Sequence, residues 1–483
     1  MDNVRSFERK RTISFWIAMS YRFISACELV MILPSIWLYL QSLGVSRTEW
    51  LGLTISAPSV SSALTGLAVG LLSDKYSSNT KTIVIGCCIF RVIGNLLYML
   101  GFSMWNVLFA RFISGFASGA GIAFSAEFGR ITTREERVAF LPIFDAANYV
   151  GTIFGPVLQW CLSHFHFTIF GLSVNPLNGP GLMTASLSGL HILLTLFLYS
   201  NLTDDFKEIQ IHSHQNIPLS LDTDNKSSDS ILTKPETGAM GNGVLHRSTG
   251  KGGVYNQYKK ELLTKPFVFL LFMAFVIFTC QVSVETIIPI ITQEYFGYHA
   301  VENTWILTVA AIEALLFFVG IVFLRKYVRE TTLLLIGWFL IAIALIWLMV
   351  LLPKLEHGNG THVVYFLGGV FTCMLGIPIA AAAHIVLLSK VMSSETQGLG
   401  QGIGRLVTFS GLVVGPNWAG WTYESPYIFL GFLLILLLAN GLLLIKIYTR
   451  LRKFEEDQPH DPLDSEEMRE DEFTHLITSN KTS

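Results

Sequence analysis

The chain has 483 residues, of which 51% are hydrophobic and only 14% are charged. Soluble proteins carry about 25% charged residues, so this composition excludes an ordinary soluble fold. The formal net charge of -2 leaves no concentrated basic surface, which excludes a nucleic acid as partner. We therefore expect a polytopic protein whose main partner is the lipid bilayer.

Twelve apolar runs are long enough to cross a bilayer as helices, six on each side of a polar interval. The first six are residues 13–40, 50–73, 82–102, 105–126, 138–162 and 182–202. The second six are residues 267–291, 305–324, 331–352, 363–388, 401–420 and 425–447. Strands of a membrane barrel alternate in polarity, whereas these runs are apolar on all sides. The prediction is an all-α membrane protein of two pseudo-symmetric six-helix bundles.

The distribution of charge predicts the domains and their orientation. We expect an N-terminal bundle (1–204), a flexible linker (205–265), a C-terminal bundle (266–453) and an acidic tail (454–483). The linker is rich in Ser, Thr, Asn and Gly, which is typical of disorder. Lysine and arginine concentrate in the loops on the side of the two chain ends, so both ends are predicted to be cytosolic.

The fifth and eleventh spans share a G-x-x-x-G-P pattern, which indicates an internal repeat. Its members are Gly151, Gly155 and Pro156 in the fifth span and Gly411, Gly415 and Pro416 in the eleventh, at an offset of 260 residues. The same offset relates Asp145 to Arg405. Glycines four residues apart lie on one helix face, so close packing is one interpretation and a part in rocking motion is the other.

Three segments carry a family resemblance. The stretch Gly70-Leu-Leu-Ser-Asp74-Lys75 resembles the cytosolic loop motif of the major facilitator superfamily, and Arg111-Phe-Ile-Ser-Gly115-Phe-Ala-Ser-Gly119 is similar to its arginine and glycine motif. The fifth span resembles an antiporter motif, although Gln159-Trp160 stands in place of its second glycine pair. The resemblance implies alternating access to a site between the bundles, with the second span against the eleventh and the fifth against the eighth.

Three other stretches resemble a subfamily of that superfamily, the domain-containing protein 8 subfamily. They are Ser35 to Gln41, Glu285 to Ile288 and Gly376 to Gly398. This resemblance covers both bundles but not the linker or the tails. It implies residence in the lysosomal or late endosomal membrane and the transport of an anion or conduction of chloride.

Ionisable residues inside the predicted spans are the candidate site, because each costs about 2.5–3.5 kcal/mol on insertion scales. Those assigned to the proton or ion path are Arg22, Glu28, Arg91, Arg111, Glu285 and Glu313. A carboxylate can carry a coupled proton, whereas an arginine keeps its proton and suits a fixed anion contact. Structural ion pairing is the alternative for each. Helix rise places Glu285 and Glu313 roughly 9 and 12 Å from the luminal ends of their spans, where they are expected to meet.

Charges at the cytosolic ends of the spans predict a gate. Asp74 at the end of the second span is expected to contact Arg405, and Asp145 to contact the Arg325-Lys326 pair by the pseudo-twofold relation. Such contacts would hold the cytosolic side shut while the luminal side is open. The alternative is that the charges after the second span only orient the protein.

Two functional classes remain open from the sequence. One is an alternating-access carrier of a small solute or anion, coupled to protons; the other is a chloride or anion channel on the same scaffold. A monomer is expected. The sequence contains no nucleotide-binding loop, metal cluster or nucleophile-and-base spacing, so we expect neither a cofactor nor a metal nor enzymatic activity.

Two short signals concern processing and sorting. Asn359-Gly360-Thr361 is a glycosylation sequon in the luminal loop between the ninth and tenth spans, and an unused sequon is the alternative. The tail contains Glu472-Phe-Thr-His-Leu476-Ile477, which resembles the acidic dileucine motif read by clathrin adaptors. Chance is the alternative, because such motifs are short.

Overall fold

The structure is a computed structural model that describes residues 2–76, 78–132, 134–162, 164, 167–169, 172–206, 264–324, 327–392 and 397–456. Most of the predicted linker and tail lies outside the described residues. So do Arg325 of the predicted gate and the sorting-motif residues Glu472, Leu476 and Ile477.

The N-terminal half forms a bundle of antiparallel helices and one short hairpin. The helices are α1 (Asp2–Ile32), α2 (Ile36–Ser42), α3 (Glu49–Lys75), α4 (Thr80–Leu100), α5 (Met104–Gly115), α6 (Gly119–Ile131), α7 (Arg134–Leu162) and α8 (Gly179–Leu198). Strands β1 (Phe167–Ile169) and β2 (Leu172–Val174) pair antiparallel between α7 and α8, with Phe167 opposite Val174. The sequence analysis did not identify this hairpin.

The C-terminal half forms a second bundle with the largest buried apolar core. Its helices are α9 (Lys265–Phe296), α10 (Ala300–Leu324), α11 (Glu330–Leu351), α12 (Gly360–Lys390), α13 (Gln397–Thr422) and α14 (Pro426–Glu456). Within the described chain, 10 helical segments are long and apolar enough to cross a membrane. Together with α7 and the glycine-rich α13, these 10 segments make twelve spans, so the predicted twelve-helix fold is confirmed.

Two spans are interrupted where the sequence analysis expected continuous helices. The first span bends between α1 and α2 at Pro34, because proline lacks an N–H and disfavours helix in the residue before it. The fourth span passes through a 3-10 turn, Phe116–Ser118, between Gly115 and Gly119. The predicted runs 13–40 and 105–126 are therefore each two helices.

Glycine pairs bring helix backbones together within each bundle. A Cβ on Gly151 would lie 2.4 Å from the Phe23 backbone oxygen of α1, and one on Gly155 would lie 3.0 Å from the Cys27 oxygen. Only glycine allows this approach. The repeated pattern therefore packs α7 on α1.

The second copy of the pattern makes the equivalent contact in the other bundle. A Cβ on Gly411 would lie 3.0 Å from the Phe275 oxygen of α9, and one on Gly415 would lie 2.8 Å from the Thr279 oxygen. The contacted residues on α1 and α9 are also four apart in each case. The repeat is therefore a structural one, as the packing interpretation proposed.

The bundles meet through α3 with α13 and through α7 with α10, the pairings that the family resemblance implied. We call the face at which α1 begins and α14 ends the terminal face, and the opposite one the distal face. On the distal side Thr48 Oγ1 donates a hydrogen bond of 2.7 Å to the Gly420 oxygen. Asn417 Nδ2 donates one of 2.8 Å to Ser56 Oγ. We call these two contacts the distal seam.

Further contacts between the bundles lie beside the distal seam. The Trp160 and Trp305 rings are 5.9 Å apart, and Gln293 donates a hydrogen bond to Gln41. Trp160 is one of the residues by which the fifth span departs from the antiporter motif. The distal face is therefore closed in this structure. The predicted gate on the terminal side would form in the opposite state, in which the distal face is open.

We predict that Gly52→Val opens the distal face. A Cβ at Gly52 would lie 2.3 Å from the Pro416 oxygen, a contact between bundles that separation relieves. Ser56→Cys, at a position that is 3% exposed here, reports the opening through thiol labelling from the distal side. The background should carry Cys161→Ser, because Cys161 is exposed.

The matched control for this experiment is Gly86→Val, since a Cβ on Gly86 would meet nothing within 4 Å. We expect faster labelling with Gly52→Val and an unchanged rate with the control. Equal rates in both variants would contradict a closed distal seam.

Candidate functional site

One carboxylate and two guanidinium groups form a buried cluster inside the N-terminal bundle. Glu28 lies near the end of α1, Arg91 in α4 and Arg111 in α5. The Glu28 carboxylate is 3.1 Å from Arg91 Nε and 3.2 Å from Arg111 Nη1. The three side chains are 8%, 3% and 4% exposed. The structure thus brings together three of the charged residues that the sequence assigned to the ion path.

Neutral groups complete this cluster. Asn95 Nδ2 donates a hydrogen bond of 3.0 Å to Glu28 Oε1, and Arg91 Nη2 donates one of 2.9 Å to Ser25 Oγ. The Arg91 guanidinium also lies 4.7 Å from the centre of the Tyr21 ring. Sequence reasoning missed these partners, although Asn95 follows Arg91 by one helical turn and so lies on the same face.

The cluster carries an excess of positive charge. Burial of an ion costs several kcal/mol, which close partners must offset. Glu28 contacts both arginines, so its charge offsets only one of theirs. A formal charge of +1 remains among these three residues within the bundle.

Arg22 occupies a different environment on α1. Its guanidinium carbon lies 5.0 Å from the centre of the Phe144 ring of α7, a cation–π contact, and its side chain is partly buried. Arg22 therefore adds positive charge one to two helical turns from Glu28, towards the terminal face.

The carboxylates of the C-terminal bundle have a different set of partners. Glu285 on α9 accepts a hydrogen bond of 2.9 Å from Gln281, one turn earlier on the same helix. Glu313 on α10 has a buried Oε2 with no hydrogen-bond partner among the described residues. Neither carboxylate forms an ion pair with another residue in the described ranges, and the two are not hydrogen-bonded to each other. The expected meeting of Glu285 and Glu313 therefore stays a prediction.

Both carboxylates lie farther from the ends of their helices than from the ends of the predicted apolar runs. Glu285 is 11 residues from the distal end of α9 at Phe296, and Glu313 is 13 residues from the distal start of α10 at Ala300. At 1.5 Å per residue these are about 16 and 20 Å. The helices extend past the apolar runs that set the predicted boundaries. Both groups therefore lie in the middle third of their helices, away from either end.

The described part of the predicted gate lies at the terminal ends of the helices. Gly70, Asp74 and Lys75 belong to the last turns of α3, and Arg405 lies at an exposed position of α13. The side chains of Asp74 and Asp145 are outside the described residues. The pairing of Asp74 with Arg405 therefore stays a prediction.

A buried carboxylate at the terminal end of α6 was missed from the sequence. Glu127 is fully buried, where it accepts hydrogen bonds from Tyr199 Oη and, at 2.7 Å, from the Leu202 amide. The predicted fourth span stopped at residue 126, which left Glu127 in the following loop. Tyr199 and Leu202 both follow α8, so Glu127 attaches the end of the sixth span to the fourth.

Asn359 lies on the distal face in the turn before α12. Its Oδ1 accepts a hydrogen bond of 3.1 Å from the Thr361 amide, and its Nδ2 donates one of 3.2 Å to Glu356. The side chain is partly exposed and caps the helix. A glycan on Asn359 would be attached to the same Nδ2 atom that contacts Glu356.

Comparison of the sequence with known proteins identifies relatives. A family model described as Major Facilitator Superfamily matches residues 18–416. An uncharacterized transporter of Buchnera aphidicola subsp. Acyrthosiphon pisum (strain APS) is 27% identical over 169 residues. That match covers 34% of this chain and 42% of the relative, so the chain matches less than half of that protein's length.

Solved transporter structures share the fold at low sequence identity. A POT family transporter in complex with a thioalcohol-conjugated peptide has a TM-score of 0.65, with 12% identity over 91% of this chain and 96% of that one. A D-xylose-proton symporter has a TM-score of 0.62, with 12% identity over 89% and 97%. A nucleoside transporter has a TM-score of 0.58, with 14% identity over 89% and 98%. At these identities the likeness shows the fold alone.

We predict that Glu28→Gln strongly destabilises the N-terminal bundle. It leaves two buried guanidinium groups without their carboxylate, a loss that costs about 3–5 kcal/mol for buried pairs. Thermal unfolding of the purified protein measures this loss. Adding Arg91→Gln should restore part of the stability, because the double variant buries one arginine charge fewer.

The control for Glu28→Gln is Glu49→Gln, which breaks an ion pair of 2.8 Å with Arg47, whose side chain is 74% exposed. Exposed pairs contribute little, so we expect no measurable change in melting temperature. Equal changes in melting temperature for Glu28→Gln and Glu49→Gln would show that the Glu28 cluster contributes no more to stability than an exposed ion pair.

Proposed function

The chain belongs to the major facilitator superfamily, and on that premise we propose that it carries a small anion across the membrane by alternating access, coupled to protons. The proposal rests on the buried cluster of Glu28, Arg91 and Arg111, in which two guanidinium groups contact a single carboxylate. Transporters of this superfamily move solutes, and the charge of the cluster selects the class of solute.

The positive cluster supports an anionic substrate. In a region of low dielectric constant, a charge that is incompletely offset acts over a longer distance than in water. An anion that enters between the bundles is therefore attracted to the side of Arg111 and Arg91. Arginine is suited to this task because it keeps its charge at every working pH.

The carboxylates of the C-terminal bundle support proton coupling. Glu28 already contacts two guanidinium groups, so we assign it to the anion-binding cluster. Glu313 and Glu285 have no cationic partner among the described residues, and the Glu313 Oε2 atom is buried. We propose that these two groups carry the coupled protons and that the N-terminal cluster binds the anion.

The distal seam favours a carrier over the alternative of a chloride channel. A channel needs a continuous aqueous path, whereas α3 and α13 are hydrogen-bonded across the distal end of the interface. The proposed terminal gate between Asp74 and Arg405 completes the cycle by closing the other side. Voltage-driven currents that reverse at the chloride potential would favour the channel instead.

Proton coupling is tested by Glu313→Gln in proteoliposomes. We screen chloride, phosphate and small carboxylates as labelled substrates, under an inward proton gradient and in exchange mode. Glu313→Gln should abolish accumulation driven by the gradient, yet keep exchange, which needs no net proton movement. Glu302→Gln is the matched control, because Glu302 lies in the first turn of the same helix and is exposed. Gradient-driven accumulation that survives in both Glu313→Gln and Glu285→Gln would refute the proton role.

We further propose that the protein resides in the lysosomal or late endosomal membrane, with both chain ends in the cytosol. The support is the acidic dileucine motif Glu472 to Ile477 and the positive charge of the loops on the terminal side. Leu476→Ala with Ile477→Ala should move the protein to the cell surface in fluorescence microscopy, because adaptors no longer bind. Thr478→Ala, next to the motif, is the control. Lysosomal staining that stays unchanged in the double variant would exclude this sorting signal.

A further inference from the structure

A cavity of about 720 Å³ lies between the start of α9 and the end of α14, outside the candidate transport site. Its walls combine cationic and apolar side chains in two helical stripes. They are Lys265, Val268, Phe269 and Phe272 from α9 and Leu443, Lys446, Ile447 and Arg450 from α14. This volume falls within the range of known ligand sites, about 300–1,000 Å³.

Each stripe arranges its charged and apolar members by depth. Lys265 is the first residue of α9, and Phe272 lies seven residues deeper, about 10 Å along the axis. On α14, which runs towards the terminal face, the apolar Leu443 comes first in sequence and lies deeper than the cationic Arg450. Both stripes therefore place their cations at the terminal face. The cavity is therefore cationic at the terminal face and apolar towards the middle of the bilayer.

The cations of this cavity form no ion pair within the part of the chain that the structure describes. Lys265, Lys446 and Arg450 are exposed, and none of them forms an ion pair with another residue in the described part of the chain. The described residues that line the cavity include no carboxylate. Three positive charges therefore face one space without a carboxylate partner among the residues described.

The apolar part of the cavity is open to the hydrocarbon. Val268 is 49% exposed and Leu443 is 39% exposed, at positions where both helices cross the membrane. A lateral cavity on the distal face offers a contrast, since its one cation is Lys354 among apolar residues such as Ile343 and Trp347. The cationic character belongs to the terminal leaflet and is not general to grooves on this protein.

We propose that this cavity binds an anionic glycerophospholipid of the leaflet at the terminal face. The phosphate and acidic headgroup would lie among Lys265, Lys446 and Arg450, and an acyl chain would pack along Phe272 and Leu443. Basic pockets between membrane helices bind acidic headgroups in this manner. The amino end of α9 adds further positive potential at the headgroup position. The acidic tail after residue 456 is the other negative partner within reach, but it would leave the apolar wall uncovered.

The test is native mass spectrometry of the purified full-length protein with equal amounts of phosphatidylserine and phosphatidylcholine. Each cation near a headgroup contributes about fivefold in affinity, equivalent to about 1 kcal/mol. We expect wild-type protein to retain phosphatidylserine with a preference of about 100-fold. The triple variant K265Q/K446Q/R450Q should lose most of this preference for phosphatidylserine. The matched control R5Q/R9Q/K453Q removes three exposed cations of the same face that do not line the cavity, and it should keep the preference.

A second readout guards against misfolding of the triple variant. In phosphatidylcholine alone all three proteins should melt at the same temperature, and added phosphatidylserine should raise the melting temperature of the wild type and the control only. Equal loss of preference in the triple variant and the control would overturn the proposal. So would equal protection by inorganic phosphate, which would indicate a free anion, or binding of phosphatidylserine only after removal of residues 457–483, which would indicate the tail as occupant.

Discussion

A carboxyl group in the hydrocarbon of a bilayer needs either a partner for its charge or a proton that neutralises it. The two bundles meet that constraint in different ways. In the N-terminal bundle Glu28 holds Arg91 and Arg111 at ion-pair distance. In the C-terminal bundle Glu285 has a neutral glutamine beside it, and one oxygen of Glu313 is buried with no hydrogen-bond partner in the described ranges. The ion-paired cluster and the two carboxylates without a cationic partner among the described residues therefore belong to different bundles. The proposed coupling of an anion to protons assigns one role to each bundle.

Glycine serves two kinds of contact in this fold, and the difference matters for motion. Gly151 and Gly411 hold helices of one bundle together, so larger side chains there disrupt the bundle itself. Gly52 and Gly420 instead lie where one bundle contacts the other. Backbones that meet without interlocking side chains can separate without rearranging either core. The same residue type thus gives rigidity inside a bundle and a separable surface between the bundles.

The sequence predicted the helices and the repeat well because both depend on local pattern. Apolar runs locate the spans, and the constant offset between Gly151 and Gly411 reflects equivalent packing in the two halves. The interruption of the fourth span after Gly115 was not predicted. Its extension to Glu127 was not predicted either, because in a sequence a glutamate at the end of an apolar run is typical of a loop. The partners Asn95 and Tyr21 were also missed. Which residues meet across helices depends on rotation and tilt, and neither is encoded in the spacing of one span.

The Glu28 cluster also has a consequence for biogenesis. Glu28 leaves the ribosome before any of the partners that hold it, with Asn95 following after 67 residues and Arg111 after 83. At about 5–20 residues per second, the last partner arrives about 4–17 s later. During that interval the first helix holds Glu28 without these partners. The first helix to be made thus reaches its final electrostatic environment only after α4 and α5 are complete.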